Sequence, residues 1–373
     1  MNRRRVLVTG GAGFVGSHTV DALLHKGHQV RVFDNLEEQV HHGSAPVYLS
    51  REAELVVGDV RDTVALRRAL DNIDVVFHLA AAVGVGQSMY EIARYTEVNS
   101  QGTANLLQLL LERRHRVEKL IVASSMSLYG EGQYHCREHG AVAPAPRTPE
   151  QLRSRQWQVE CPQCHRIAEP VPTEESKPAQ CTSIYALSKK TQEEMCLLFG
   201  RTYGLPVVAL RYFNIYGTRQ ALSNPYTGVA AIFASRLLNR RPPLVFEDGR
   251  QQRDFVSVHD VVQANLLAME RSEGDGLALN IGSGHPVAIR QIAEILGAML
   301  GESTPAEVTG NFRTGDIRHC FADISLAHQK LGYRPVHSLP EAMGELVDWM
   351  RSQPAADRVD EARKSLLSFG LTA

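Results

Sequence analysis

The sequence has no uninterrupted apolar stretch of about eighteen residues, the length that a membrane-spanning helix needs. It also has no excess of charge of one sign, because 40 basic residues stand against 41 acidic ones and the net charge is -1. This balance gives no support for a nucleic acid or an anionic membrane as partner. The basic start resembles a signal peptide, but the apolar run Val6-Leu7-Val8 stops at Thr9-Gly10, so we expect a cytoplasmic protein.

Cysteine is also scarce, since six residues in a chain of 373 do not suggest a disulfide scaffold. Four of the six nevertheless fall within residues 131–182, which are rich in proline and have little periodicity. We interpret this segment as an insertion. Over the whole chain, 43% of the residues are hydrophobic, which is enough for a sizeable core and about two domains.

Residues 1–130 alternate short apolar runs with stretches of helical periodicity. Short apolar runs separated by helices are typical of a parallel sheet that is covered on both faces. The pattern therefore predicts an α/β fold, a Rossmann-type doubly wound parallel sheet. Helices are predicted at 15–26 and 99–114, and strands at 6–9, 30–34, 55–57, 75–79 and 120–123.

The remaining chain predicts a second, smaller domain. A helix that carries Tyr185 and a strand at 207–211 complete the first domain, which we assign to residues 1–214 with the insertion at about 131–182. Residues 215–373 are predicted to form a smaller C-terminal α/β substrate-binding domain, with some chain crossing back to the first domain. Its helices are expected near 228–239, 258–271, 288–300 and 339–351.

A glycine-rich turn joins the first predicted strand to the first helix, with the sequence Gly10-Gly11-Ala12-Gly13-Phe14-Val15-Gly16. Glycines at these positions let the backbone approach a pyrophosphate and let the helix pack closely on the strand. The helix N-terminus then faces the phosphates. Asp34 ends the second strand, where a carboxylate bonds ribose hydroxyls and repels a 2′-phosphate. Because Asn35 follows instead of an arginine, the sequence favours NAD over NADP.

Ser125 and the distant pair Tyr185 and Lys189 carry the chemistry. Tyrosine and lysine four residues apart lie on one face of a helix. An ammonium group there is expected to lower the pKa of the phenol, which then exchanges a proton with a substrate hydroxyl near neutral pH. The serine hydroxyl holds the same substrate oxygen. Together with NAD, these groups predict reversible oxidation of a secondary alcohol.

Six motifs occur in order between residue 7 and about residue 323: Thr9-Gly10-Gly11-Ala12-Gly13-Phe14-Val15-Gly16, Gly58-Asp59-Val60, His78-Leu79-Ala80-Ala81, Tyr185 with Lys189, Arg211-Tyr212-Phe213-Asn214-Ile215-Tyr216-Gly217 and Arg253-Asp254-Phe255-Val256. As a set they resemble the extended short-chain dehydrogenase/reductase family, in particular its nucleotide-sugar epimerases. The resemblance covers nearly the whole chain.

The resemblance implies roles for individual residues. Ser125, Tyr185 and Lys189 are implied to be catalytic, with Asn99 shaping the helix behind them. The implied NAD site consists of Gly10, Gly13, Phe14, Val15, Gly16, Asp34, Asn35, Asp59, Val60, Leu79, Ala80, Ala81, Asn99, Ser124, Tyr185, Lys189 and Tyr212. The implied site for a nucleotide-diphosphate sugar consists of Val83, Ser125, Ser127, Asn214, Val229, Phe246, Arg253, Arg313, Asp316 and Cys320.

The two residues after Ser125 indicate which reaction of the family the protein catalyses. Dehydratases and decarboxylases of this family usually carry an acidic group there, which water elimination or carboxyl loss needs. Met126 and Ser127 cannot do that work, which favours an isomerase that epimerises C4 through a 4-keto sugar. An alternative of another class is a non-catalytic NAD-binding regulatory protein, against which the intact catalytic set argues. The family also implies a homodimer through helices at about 99–114 and 184–203.

The sugar is less defined by the sequence. The loop 81–89, the segment Ser223-Asn224-Pro225-Tyr226-Thr227-Gly228 and the cysteine-bearing insertion are similar to those of dTDP-L-rhamnose 4-epimerases, which interconvert dTDP-L-rhamnose and dTDP-6-deoxy-L-talose. Cys320 matches a position that gates pocket width in the family. A small residue there implies a roomy pocket, so UDP-glucose and UDP-N-acetylglucosamine stay open as alternative substrates.

The insertion predicts a metal site. Cys136, Cys161, Cys164 and Cys181 include one tight Cys-x-x-Cys turn, and four thiolates suit tetrahedral zinc. A structural zinc ion would staple a loop too poor in apolar residues to fold alone. His135, His139 and His165 are alternatives for one of the cysteine ligands, and four free thiols without metal are the other interpretation.

Overall fold

The computed structural model describes residues 3–112, 117–222, 224, 226, 228–301, 305–313, 315–353, 357 and 359–372. The strands are β1 (Arg5–Thr9), β2 (Gln29–Asp34), β3 (Glu54–Val57), β4 (Val75–His78), β5 (Lys119–Ser125), β6 (Gln133–Cys136), β7 (Gly140–Val142), β8 (Glu169–Val171), β9 (Val207–Tyr212), β10 (Asn214–Tyr216), β11 (Leu244–Val245), β12 (Gln252–Ser257), β13 (Ala278–Ile281), β14 (Pro286–Ala288), β15 (Glu307–Val308) and β16 (His319–Cys320).

The α-helices are α1 (Phe14–His25), α2 (Glu38–His41), α3 (Thr63–Ala69), α4 (Val85–Ser88), α5 (Ile92–Tyr95), α6 (Gly102–Glu112), α7 (Pro149–Arg153), α8 (Ile184–Tyr203), α9 (Val229–Leu238), α10 (Val258–Glu270), α11 (Ile289–Leu300), α12 (Ser325–Leu331), α13 (Leu339–Arg351) and α14 (Val359–Ser368). A π-helical segment, Thr96–Gln101, leads into α6, and a 3-10 turn, Met126–Tyr129, follows β5. The predicted helix 99–114 is thus split between two segments, and its last two residues lie outside the described chain.

A seven-stranded parallel sheet forms the centre of the molecule, in the order β13-β9-β5-β4-β1-β2-β3. Helices α1, α10 and α12 cover one face, and α3, α6 and α8 cover the other. Because both faces are covered, every residue of β4 and β5 is buried, which explains their continuous apolar runs. The predicted doubly wound sheet is confirmed. Its strand order reverses between β1 and β4, where such sheets open a crevice at the carboxyl ends of the strands.

The helix that carries Tyr185 is defined by residues at both its ends. Ser183 precedes α8, and its hydroxyl accepts a hydrogen bond from the backbone N–H of Ala186. Gly204 ends the helix at φ +73°, a left-handed conformation that glycine adopts without strain. The helix therefore has a fixed start one residue before Tyr185.

Within the described residues, no helix combines the length and apolar character that crossing a membrane requires.

The C-terminal part has its own core between α9, α11 and α13. Beside that core lie β12 with its neighbours β10, β14 and β16, and the pair β11 and β15. Strand β13 and helices α10 and α12 instead belong to the large sheet and its cover. The chain therefore passes back and forth between the two cores, and a boundary at residue 214 stays a prediction.

Residues 131–182 are more regular than their sequence pattern indicates. Strand β6 lies between β7 and β8 in an antiparallel sheet. The two ends of the insertion lie next to each other, because Gly130 contacts the carbonyl group of Gln180. Gly130 has φ +65°, and a Cβ on this residue would lie 2.3 Å from the Gln180 oxygen. Gly132 N–H donates to His319 O and Thr173 N–H to Phe321 O, each at 2.8 Å. These bonds attach the insertion to the strand β16 region.

Candidate active site

The glycine turn lies where β1 meets α1, beside the end of β4. Gly10 has φ +69°, and a Cβ there would lie 2.7 Å from Ala80 N. A Cβ at Gly16 would lie 2.1 Å from Gly10 O. Only glycine fits these two positions, so the turn is a close backbone cradle. Gly13 precedes α1 and no side chain caps that helix, which suits a phosphate at its N-terminus.

Asp34 stands at the end of β2 and braces this turn. Its carboxylate accepts hydrogen bonds from Ala12 N–H at 3.0 Å and Leu36 N–H at 2.9 Å. The carboxylate is thereby held beside the glycine turn, where a ribose would meet it. The next residue, Asn35, donates to Asp59 at 3.0 Å. The residues Phe14 and Val15 begin α1 at the same edge.

Asp59 and Val60, which follow β3, are placed differently from each other. The Arg61 guanidinium forks onto the Asp59 carboxylate at 2.8 and 2.9 Å and lowers the pKa of Asp59 to about 2. Asp59 is therefore a fixed anion at the edge of the site. Val60 is buried in the core against Gly102, so its side chain packs inward rather than lining the crevice.

Asn99 connects the loop after β4 to the catalytic helix. Its side-chain oxygen accepts from Ala82 N–H at 2.8 Å, and its amide donates to Ala82 O at 3.0 Å. The same amide donates to the hydroxyl of Ser188 at 2.9 Å. Ser188 lies on α8 between Tyr185 and Lys189, and the loop carries Leu79, Ala80 and Ala81. Asn99 thus sets the distance between the cofactor loop and the catalytic helix.

Ser125 and Tyr185 meet at the carboxyl end of the sheet. Ser125 ends β5, and its hydroxyl is close enough to the Tyr185 side chain to lower the pKa of that phenol. Ser127 donates to the Ser125 hydroxyl at 2.9 Å, and Tyr185 N–H donates to Ser88 at 3.0 Å. Burial raises the pKa of Tyr185, and the nearby Ser125 hydroxyl opposes that rise. The pair can hold one substrate oxygen between them and move its proton.

Lys189 lies one turn further along α8, but its ammonium points elsewhere. Nζ donates to the side-chain oxygen of Gln192 at 2.6 Å, and Gln192 donates to the Thr103 hydroxyl at 2.9 Å. Burial lowers the pKa of Lys189 to about 7. The expectation that Lys189 lowers the pKa of Tyr185 stays a prediction, because in the structure burial raises that pKa and the group that opposes the rise is Ser125. Gln192 was missed, although its place three residues after Lys189 puts it on the same helix face.

Two residues predicted to touch the cofactor use their hydroxyl groups inside the protein. Ser124 donates to Glu193 at 2.6 Å, and Glu193 is held in turn by the Arg211 guanidinium at 2.6 Å. Tyr212 donates to Asn265 at 2.6 Å. The buried ion pair of Glu193 and Arg211 supports the floor of the site, a role that the sequence pattern does not indicate.

The predicted substrate residues fall into two groups. Arg313 pairs with Asp316 at 2.9 Å and lies over the Phe246 ring, 4.8 Å from its centroid. These three residues form one surface of the C-terminal part. Arg253 is 9% exposed, and its guanidinium donates to three backbone carbonyls, including Ile317 O at 2.6 Å. Arg253 therefore fixes the chain next to Asp316 as well as carrying charge.

Asn214 has a polar atom that a ligand would satisfy. Among the described residues, its buried side-chain oxygen has no hydrogen-bond partner. Buried polar atoms are rarely left unpaired, so this oxygen marks a place for a donor group.

The two predicted valines of the substrate site lie on other elements. Val229 begins α9 directly after Gly228. Val83 is exposed in the loop after β4.

Cys320 is 1% exposed and packs with Met126, Leu128 and Phe213. Its Sγ lies 3.8 Å from the Thr173 hydroxyl of the insertion. The side chain thus lies inside an apolar cluster, and its role in setting the width of the substrate pocket stays a prediction. Three residues of the 223–228 segment, Ser223, Pro225 and Thr227, lie outside the described chain.

The structure brings together three of the four cysteines predicted to bind metal. Ligand atoms of Cys136, His139, Cys161 and Cys164 all lie within 4.8 Å of one another. Cys181 is not part of this cluster, because its thiol donates to Leu128 O at 3.7 Å beside the catalytic turn. The ligand set predicted from sequence is corrected accordingly, with His139 in the place of Cys181.

The parallel sheet, the glycine cradle and the Ser125–Tyr185 pair together define an enzyme that binds a dinucleotide next to a phenolic acid–base group. A family model described as "NAD dependent epimerase/dehydratase family" matches residues 6–149 and 162–282. The chain belongs to this family, as its motifs predicted.

Named relatives agree with that assignment. The chain is 36% identical to dTDP-L-rhamnose 4-epimerase of Burkholderia thailandensis over 94% of this chain and 96% of the relative. The UDP-glucose 4-epimerase of Thermotoga maritima, solved with UDP-glucose, is 33% identical with a TM-score of 0.75 and coverage of 93% and 98%. That of Thermus thermophilus, solved with NAD, is 29% identical with a TM-score of 0.73 and coverage of 94% and 100%. These relatives confirm the predicted class of enzyme, a nucleotide-sugar epimerase.

Proposed function

We propose that this enzyme uses NAD to invert C4 of a nucleotide-diphosphate sugar through a 4-keto intermediate. The observation that carries the proposal is the pair of Ser125 and Tyr185 beside the glycine cradle. The two residues after Ser125 support inversion over loss of water or carbon dioxide. Met126 is buried in an apolar cluster and Ser127 donates to Ser125, so neither supplies an extra acid.

The residues of the site divide the work. Tyr185 takes the proton of the C4 hydroxyl while Ser125 holds that oxygen, and Tyr185 returns the proton at the end of the cycle. NAD, if held at the glycine turn, would supply the hydride acceptor and, once reduced, the hydride donor of the same cycle. Arg313, Asp316 and Phe246 bind the nucleotide end, where a guanidinium group suits a diphosphate. The sugar can then turn about its diphosphate link and present its other face.

We propose dTDP-L-rhamnose and dTDP-6-deoxy-L-talose as the substrate pair. The identity of 36% to a dTDP-L-rhamnose 4-epimerase and the cysteine-bearing insertion support this choice. UDP-glucose and UDP-N-acetylglucosamine are the second candidates. They are favoured by the likeness to a UDP-N-acetylglucosamine 4-epimerase from Methanobrevibacter ruminantium, with 31% identity and a TM-score of 0.77.

The test is a substrate panel with purified protein. dTDP-L-rhamnose, UDP-glucose and UDP-N-acetylglucosamine are supplied separately, and products are identified by NMR and mass spectrometry. We expect a C4 epimer of unchanged mass, formed fastest from dTDP-L-rhamnose and roughly 10²–10⁴-fold more slowly with Tyr185→Phe. Faster turnover of a UDP-sugar would overturn the dTDP assignment. No turnover of any sugar would favour a regulatory NAD-binding protein.

We also propose that the protein is a cytoplasmic homodimer. All six cysteines are unpaired thiols, which suits a reducing compartment. Leu187 and Leu198 are 51% and 57% exposed on α8 and lie about three turns apart, hence on one face. An exposed apolar face on the same helix that carries Tyr185 supports pairing of two copies through α6 and α8.

A further inference from the structure

We propose that Cys136, His139, Cys161 and Cys164 bind one structural zinc ion that holds the insertion together. The four residues come from two short motifs, Cys-x-x-His and Cys-x-x-Cys, and their ligand atoms lie within 4.8 Å of one another. Both the identity of the ligands and their arrangement support this assignment.

The spacing of the atoms fits a tetrahedron. With usual Zn–S and Zn–N bond lengths, two sulfurs lie about 3.8 Å apart and a sulfur and a nitrogen about 3.6 Å apart. In the structure, the sulfurs of Cys136 and Cys164 are 3.6 Å apart. Nδ1 of His139 lies 3.6 Å from the Cys136 sulfur and 3.5 Å from the Cys161 sulfur. Three edges of the tetrahedron therefore agree with the expected lengths within a few tenths of an ångström.

Two hairpin tips present these ligands to each other. Cys136 ends β6, and His139 lies in the turn before β7. The second tip is the segment 161–166, where Cys161 N–H donates to Arg166 O at 2.8 Å and His165 N–H donates to Cys161 O at 2.9 Å. Both tips are closed by left-handed residues, Gly140 at φ +69° and His165 at φ +57°. The backbone thus holds the two motifs in place facing each other.

The insertion has too small a core to hold the hairpins without such a link. Its buried cluster consists of Tyr134, Cys136, Val142, Val159, Cys161 and Ala168, with Cys164 packed against it. Three of these seven side chains are proposed ligands. A segment with so little apolar area usually needs a metal or a disulfide to stay ordered.

The donor set identifies the metal and its role. Three thiolates and one imidazole are typical of zinc, and four protein ligands leave no open position for catalysis. The other histidines of the segment do not compete: His165 is exposed and faces Glu160 at 3.9 Å, and His135 is exposed on β6. The ion would therefore stabilise structure and take no part in the proton transfer at Tyr185.

The insertion contacts the part of the chain that is proposed to bind the nucleotide end of the substrate. Arg147, between β7 and α7, is buried, lies 2.9 Å from Glu247 and donates to Asp316 O at 3.1 Å. Glu131, at the start of the insertion, accepts from Arg318 N–H at 2.8 Å. Both contacts brace the chain that carries Arg313 and Asp316. Loss of the ion should therefore weaken substrate binding more than it slows the chemical step.

The direct test is the metal content of the full chain purified without chelator. We expect about one zinc per chain by mass spectrometry, matching four protein ligands. Cys161→Ser should lose the metal, whereas Cys181→Ser, a cysteine of the same insertion outside the cluster, should keep it. His139→Cys should keep zinc as a four-thiolate site, and His139→Ala should bind it more weakly. Zinc far below stoichiometry after incubation with Zn²⁺ and desalting, or equal loss in the two serine variants, would overturn the proposal.

A second measurement covers the case in which Cys161→Ser does not fold. Organomercurial titration of the native wild-type protein should release zinc in step with modification of three thiols. Thiol modification without zinc release would contradict the site. The kinetic consequence rests on the proposed function: zinc-depleted enzyme should show a raised KM for the nucleotide sugar and a nearly unchanged kcat. Unchanged KM would overturn the bracing role, while zinc content itself is independent of turnover.

Discussion

The ammonium of Lys189 donates to the side-chain oxygen of Gln192 at 2.6 Å, inside the core and one helical turn beyond Tyr185. This bond directs the lysine ammonium towards Gln192. Burial lowers the pKa of Lys189 to about 7 and raises that of Tyr185. In the structure, the group that opposes the rise in the pKa of Tyr185 is therefore Ser125, and both residues are expected to matter for proton transfer.

Replacing Tyr185 by Phe should lower turnover by roughly 10²–10⁴-fold, the usual size of a general acid–base contribution. The fold and the bound NAD should be retained, because the ring stays and only the hydroxyl is lost. Ser125→Ala should cost less, since it removes an orienting bond and not the base. Steady-state rates and the NAD content of both variants give the measurement. Turnover near the wild-type level in Tyr185→Phe would mean that another group is the base.

Asp34 should make the enzyme select NAD over NADP, because its carboxylate repels a 2′-phosphate. Denatured wild-type protein should release NAD. Asp34→Ala combined with Asn35→Arg should relax this selection and lower the NAD content, since Asp34 also accepts from Ala12 and Leu36. Asp34→Asn is the matched control, because it removes the charge and keeps a hydrogen-bond acceptor. Release of NADP alone from wild-type protein would contradict the role of Asp34.

Buried neutral histidines should make the protein less stable in acid. Burial holds the pKa of His78 and His319 at about 3 and that of His18 at about 4, against an ordinary value of 6.5. The unfolded chain therefore binds more protons than the folded one below pH 6.5, and the free energy of unfolding falls as pH drops towards those lower values. Each such proton contributes about 1.4 kcal/mol per pH unit.

Urea unfolding at several pH values below 6.5 measures this slope. His319→Asn should reduce the slope of unfolding free energy against pH by about one proton. In the wild type, Nδ1 of His319 accepts a hydrogen bond from Gln252 N–H at 3.2 Å, and the side-chain oxygen of the new asparagine can accept it instead. An unchanged slope in His319→Asn would show that this histidine does not titrate as its burial indicates.

The exposed face of α8 should hold two copies of the chain together. Leu187→Glu with Leu198→Glu should convert a dimer into a monomer by placing charges in an apolar interface. Val336→Glu is the matched control, because Val336 is 69% exposed in the loop between α12 and α13. Light scattering of the wild type and both variants gives the result. A monomeric wild type at micromolar concentration would refute the dimer.

The large sheet could be predicted because its signal is local. Strands β4 and β5 contain continuous apolar runs at 75–77 and 120–123, since parallel strands are covered on both faces. Glycine is required where Gly10 and Gly16 meet backbone atoms. The insertion could not be predicted as a sheet, because β7 and β8 are three residues each and too short to show alternation. The place of strand β13 in the large sheet could not be predicted either, because its partner β9 lies far away along the chain.

The candidate site was predicted in its elements but not in all its contacts. Sequence motifs placed Ser125 with Tyr185, and the structure joins them. Motifs could not show that the Lys189 ammonium turns to Gln192, because a side-chain direction depends on the core around it. Likewise, cysteine spacing could not separate Cys181 from His139, since both lie in the insertion and only the folded hairpins decide which one faces Cys161.

The most direct test of C4 epimerisation follows a deuterium atom at C4 of whichever nucleotide sugar the enzyme converts. Because the same hydride is removed and returned within one cycle, we predict that the C4 epimer keeps its deuterium in ordinary water. Mass spectrometry and NMR of the product measure this. Product that has lost the label to solvent, or that is lighter by one water, would contradict the proposed mechanism.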